Sequence, residues 1–202
     1  MKNLKNVTIA LMIALAYEIL LKVGHLLFPS LMKGAVISSM TSVLFFIVGV
    51  IIILFLFYFY SEERSNKNVG LIMKILVVFF ILNFLFRLPP VNKVISPGSI
   101  HTAKEIFGFI TSILLFLFML FYTRGIPASE KSLHQAATFV LVMFGIGVIK
   151  SLYSLVIYFR FLIAGVTSLF PPLFYNMMFV LFLLTHLSMI YFLYRYYQVK
   201  CK

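Results

Sequence analysis

The chain contains no aspartate, no tryptophan and one cysteine, Cys201, beside the last residue. A lone thiol excludes an internal disulfide, a CxxC redox pair and a thiolate-ligated cluster. The lack of aspartate removes every mechanism that needs two of them. No GxSxG, HExxH, Walker loop or glycine-rich dinucleotide fingerprint occurs either, so the common enzyme signatures are missing. Acids of any kind are scarce, with five glutamates against 17 lysines and arginines. Charged residues make up only 11% of the chain, against about 25% in a soluble domain that must cover itself with polar groups.

What is abundant is apolar. Hydrophobic residues are 63% of the 202 and the mean hydropathy is +1.10, which excludes a soluble globular domain and makes lipid the solvent. Crossing a bilayer core of about 30 Å takes roughly 20 helical residues at about 1.5 Å each. Six uncharged or nearly uncharged runs qualify: 7–28, 35–60, 69–88, 106–122, 133–158 and 173–194. They are too long and too uniformly apolar for the alternating strands of a membrane barrel, so the expected fold is all-α, a single polytopic bundle of six transmembrane helices. In lipid each segment must satisfy its own backbone, which by itself dictates helix.

The basic excess reads as a topological signal rather than a nucleic-acid footprint, so no nucleic-acid partner is expected. Loops on one side collect ten bases, including Lys2, Lys5, Arg64, Lys67 and Arg124; the other side collects five, including Lys33, Lys93 and Arg160. This places both termini in the cytoplasm of a protein of the cell's inner membrane. Tyr58, Tyr60, Tyr122, Tyr194, Tyr196 and Tyr197 gather at the proposed inner boundary, as an aromatic belt would. A rival reading of the first span takes Lys2, Lys5 and Ala14-Leu15-Ala16 as a signal peptide, but the apolar run continues to Phe28, far enough to span. Prolines close three spans on the outer side, at Pro29, Pro89-Pro90 and Pro171-Pro172, and aromatics close the next, which suggests three helical hairpins.

Ionisable side chains inside spans cost at least about 2.5–3.5 kcal/mol at the helix centre, so they mark candidate sites. The first span holds Glu18, Lys22 and His25 at i, i+4 and i+7, one helical face. Ala14 and Ala10 continue that stripe with small residues that admit a neighbouring helix. Asn83 and Arg87 pair at i, i+4 on the third span, Lys150, Tyr153 and Ser154 share a face of the fifth, and Tyr175 and His186 lie on the sixth. Glu18 is the only acid within a span and faces Lys22, Arg87 and Lys150. It can offset one base, leaving the others to lose a proton, snorkel to water or meet an external anion. Four histidines raise b-type haem, though His101 and His134 stand where ordinary interfacial histidines do. The acids are too few for a carboxylate-rich metal centre, and no metal site is expected.

The run Thr8 to Ala16 resembles the first helix of the substrate-binding subunits of energy-coupling-factor vitamin transporters, which present an Ala-x-x-x-Ala face to a partner. That resemblance implies a protein partner for the face of Ala10 and Ala14; the glycine-poor later spans depart from the family's pattern. From the residues themselves the leading expectation is a non-enzymatic protein that binds or transports a small or amphipathic anion, an anionic lipid included. Glu18, Lys22, His25, Asn83, Arg87, Lys150, Tyr153 and His186 would supply its ligand contacts or a proton relay. The alternatives are a sensor or accessory subunit working through a protein partner or a second copy, and a lipid-modifying enzyme or haem-bearing redox subunit.

Overall fold

A computed structural model of the chain describes residues 2–28, 35–63, 67–85, 97–164 and 172–201. These form six helices: α1 (Lys2–Leu27), α2 (Ala35–Glu63), α3 (Lys67–Leu85), α4 (Pro97–Gly125), α5 (Lys131–Ala164) and α6 (Pro172–Lys200), and no strand occurs among the described residues. α4 and α6 open on proline, whose missing N–H is no loss at a helix start. Between α4 and α5 the chain turns at Pro127, whose carbonyl accepts from Glu130 N–H at 2.9 Å. Hydroxyls inside the helices are satisfied by their own backbone. Thr8, Thr111, Thr123 and Thr185 each donate to the carbonyl four residues back, at 2.6 to 2.8 Å.

Five helices carry apolar segments long enough to cross a membrane, within Asn3–Gly24, Phe46–Glu63, Glu105–Gly125, Lys131–Phe159 and Met177–Lys200. The protein is a multi-pass helical membrane bundle. In α3 the described apolar stretch, Val69–Leu82, is shorter, and the expected end of that span at residues 86–88 lies outside the described residues. Several helices overrun the apolar limits read from sequence. α4 begins near residue 97 rather than 106, and α6 runs on to Lys200, because a helix can continue through interfacial polar residues without losing backbone bonds.

Each helix packs against its sequence neighbours, and α6 closes on α1, so the expected hairpins α1–α2, α3–α4 and α5–α6 are joined into a ring. Tight approaches fall at glycines. A Cβ on Gly145 of α5 would stand 3.4 Å from the Phe116 ring of α4, and one on Gly70 of α3 would stand 3.2 Å from the Tyr60 ring of α2. α1 is integral to the ring, with Leu4, Leu11 and Leu15 in the core. Ala14 is buried within the bundle, while Ala10 is only partly covered.

One end of the bundle has an aromatic centre. Phe59 of α2 is fully buried, with ring centroids 5.6 Å from Phe118 and 5.2 Å from Tyr122 on α4, and 5.0 Å from Tyr196 on α6. Tyr122 and Tyr196, read as belt residues, are instead buried here; Tyr194, half-exposed, keeps the belt position. Both chain ends lie at this end. Lys5 Nζ sits 5.3 Å above the Tyr197 ring, and Cys201 is buried.

Candidate functional site

Midway along α6, His186 reaches across to Glu18 of α1, with Nε2 3.3 Å from Oε2. These side chains are only 16% and 18% exposed. The other ring nitrogen, Nδ1, lies 2.9 Å from the Phe182 carbonyl. Both neighbours of the ring are oxygen acceptors unless the carboxyl carries a proton, and a neutral imidazole has one N–H to give. The Phe182 ring stacks on the imidazole at 3.9 Å between centroids, and Lys22 Nζ stands 5.7 Å from the Phe182 ring centre.

Beside His186 a cleft of about 220 Å³ opens between α4, α5 and α6. Its walls are mostly apolar, from Leu115, Phe144 and Leu181 among others, and its polar groups are Ser112, Lys150, Ser151, Thr185 and His186. The serines are linked across the α4–α5 interface. Ser112 Oγ donates to Gly108 O at 2.9 Å and so accepts from Ser151 Oγ, also at 2.9 Å. Gly147 lines the cleft one turn from Lys150, and a Cβ there would meet nothing within 4 Å. Among the described residues no carboxylate pairs with Lys150. Lys22 is close enough for the two ammonium charges to repel.

The structure thus brings together Glu18, His186, Lys22 and Lys150, four of the eight expected residues. Lys22, expected on the inward stripe with Glu18, is exposed and turned over Phe182. Tyr153 does not line the cleft and is 47% exposed, because Gly147 and Ser151, not Tyr153 and Ser154, share the inward face with Lys150. The side chains of His25, Asn83, Arg87 and Tyr175 lie outside the described residues. Of the histidines weighed for haem, His134 is exposed at the start of α5, near the terminal end and away from His186 at mid-helix, and the His101 side chain is not described.

Sequence reasoning missed Ser112, Ser151 and Thr185. A serine within an apolar run, as at 112 and 151, was the available signal. It missed a second polar group altogether, at the terminal end. There Lys200 Nζ pairs with Glu130 Oε1 at 2.8 Å, while Glu130 Oε2 and the hydroxyls of Tyr122 and Tyr196 are buried with no hydrogen-bond partner among the described residues. Lys200 thereby ties the end of α6 to the start of α5. No known protein family matches the chain, and no curated protein and no solved structure matches it.

Proposed function

We propose that this protein binds a small or amphipathic anion in the cleft beside His186 and carries it across, or within, the membrane together with a proton. The observation that carries the reading is the charge balance around the cleft. Glu18, the only carboxylate within an expected span, is in contact with His186 and not with Lys150. A half-buried ammonium on an apolar wall is the chemistry that receives a carboxylate or phosphate oxygen. The volume is below the roughly 300–1,000 Å³ of a pocket for a drug-sized ligand, which favours a small anion or the head of an amphipathic one. Transport, an inner-membrane location and cytoplasmic termini belong to the same proposal; the last two rest on the excess of bases in the loops on the side of the termini.

The test is a thermal-shift series on the full chain in neutral detergent, with phosphates, carboxylates, halides and anionic lipids at constant sodium and ionic strength. A ligand at a hundredfold excess over its dissociation constant stabilises by about 2.7 kcal/mol. At least one anion should produce a saturable rise that shrinks in Lys150→Met. A flat response to every anion removes the proposal and favours a scaffold role, in which the Glu18–His186 contact only holds α1 to α6.

A further inference from the structure

We propose a second site, for the phosphate of an anionic phospholipid, on the outward face of α6 where the helix leaves the apolar core of the membrane. It is centred on Arg195. The guanidinium Nε donates to Tyr191 Oη at 3.4 Å and Nη1 donates to Gln198 Oε1 at 3.0 Å. The guanidinium carbon lies 5.5 Å from the Tyr191 ring centre and 6.0 Å from that of Tyr194. Gln198 is held in turn, its amide donating to Tyr194 Oη at 2.6 Å. A long side chain is thereby oriented before any ligand arrives, which lowers the entropy cost of binding one. The cluster has donors to spare. Three of the five guanidinium N–H groups, both phenol protons and the second amide proton of Gln198 are not used within it. Among the described residues no carboxylate pairs with Arg195. A positive charge surrounded by surplus donors fits an anion that only accepts, as a phosphate diester does.

Position identifies what carries the phosphate. Met177, Val180, Leu184, Leu187 and Tyr191 are exposed and recur at alternating steps of three and four, which is one side of the helix. Arg195 and Gln198 continue that spacing. From Leu184 to Arg195 the helix rises roughly 16 Å, about half of a bilayer core of ~30 Å and so the depth of one leaflet. A phospholipid lying on this face sets an acyl chain against Leu184 and Leu187 and its phosphate beside the guanidinium, whereas a free phosphate uses the head of the site alone. With no carboxylate paired there to receive a choline ammonium, the head favoured is anionic rather than zwitterionic. The site is distinct from the cleft. Arg195 is nine residues beyond His186 on α6, roughly 13 Å along the helix axis.

The experiment titrates phosphatidylglycerol or phosphatidylcholine into neutral-detergent micelles of the purified full chain and follows the unfolding temperature, with glycerol phosphate as the soluble arm. Phosphatidylglycerol should give a saturable rise, phosphatidylcholine a weaker one and glycerol phosphate none through Arg195. The half-saturating mole fraction of phosphatidylglycerol should increase about tenfold in Arg195→Gln, which loses the charge-assisted bonds. It should increase about threefold in Arg195→Lys, which keeps the charge and loses the planar fork. Lys131→Gln, removing an exposed base at the same end of the bundle, should leave it unchanged. The mole fraction, not the absolute unfolding temperature, is read, so a destabilised variant still reports. An equal loss in Lys131→Gln and Arg195→Gln reduces the effect to general surface charge and overturns the site. Equal responses to the two lipids overturn the anionic preference on which it rests. An Arg195-dependent response to glycerol phosphate as strong as that to the lipid overturns it in favour of a free phosphate. A lipid response that persists in Arg195→Gln and disappears in Lys150→Met places the lipid in the cleft and overturns this site alone, whereas the reverse pattern supports it whatever the cleft binds.

Discussion

Removing Glu18 and His186 singly and together measures the contact on which the mid-bundle chemistry rests. At 3.3 Å a full ion pair has a gross Coulomb attraction of ~5 kcal/mol for an effective dielectric of 20, most of which desolvation of the two groups offsets. The separation exceeds the 2.7–2.9 Å of a short charge-assisted bond, and 16–18% exposure leaves some screening, so the net coupling falls below the top of the range. Interhelical side-chain bonds in membranes average about 0.6 kcal/mol and reach about 1.7 kcal/mol. Partial seclusion raises this contact above the mean and its length lowers it below the maximum, giving an expected coupling of about 1 kcal/mol. The cycle compares Glu18→Leu, His186→Leu and the double variant by equilibrium unfolding in mixed micelles, followed by helical circular dichroism. The singles should be unequal. Glu18→Leu leaves an imidazole still in contact with the Phe182 carbonyl, whereas His186→Leu strands a carboxyl in the bundle, so the second costs more. Additivity within about 0.3 kcal/mol would mean the groups do not interact and would refute the contact.

Phe59→Ala should cost about 3–5 kcal/mol in the same assay, because it empties the space among Phe118, Tyr122 and Tyr196; a loss below about 1 kcal/mol would show that the aromatic centre is not packed as described. Gly147→Ala should be neutral or stabilise by up to about 1 kcal/mol, since its Cβ meets nothing, yet weaken the anion response by narrowing the cleft; an unchanged anion response would place the ligand elsewhere. Cys201 should label slowly with maleimide at neutral pH and faster as pH rises, because burial pushes its thiol up from the ordinary range. Fast native labelling at neutral pH would contradict that burial. Topology is better read from Ser129→Cys in a Cys201→Ser background, on the exposed α4–α5 turn; labelling of intact cells by an impermeant maleimide would reverse the proposed orientation.

The helices were legible because a bilayer allows apolar runs of this length few other states, and the inward turn of Ala14 and Glu18 followed from a 3.6-residue period alone. What that period cannot supply is the partner across the bundle. Glu18 and His186 are 168 residues apart, and their meeting depends on the vertical register of α1 against α6, which packing of apolar side chains such as Leu11, Leu15 and Leu193 sets. The face of α5 shows a second limit. Lys150, Tyr153 and Ser154 do share an arc, but which edge of it turns inward is decided by where Gly145 lets α4 approach, and that brings Ser151 and Gly147 to the cleft. Tyr122 and Tyr196 illustrate a third. An interfacial tyrosine and a buried one at the same depth have the same sequence signature, and only the arrangement around Phe59 separates them.

The closed ring has a consequence for biogenesis. Because each helix rests on its neighbours in sequence, the chain can settle into the bilayer progressively as it is synthesised, and only the contact of α6 with α1 spans the whole length. Glu18 enters the membrane first and meets His186 last. Until then a carboxyl stands unpaired at mid-bilayer, at a cost of at least about 2.5 kcal/mol. The arrival of α6 delivers the imidazole and retains the first helix, so correct anchoring of the N-terminal helix depends on completing the C-terminal one.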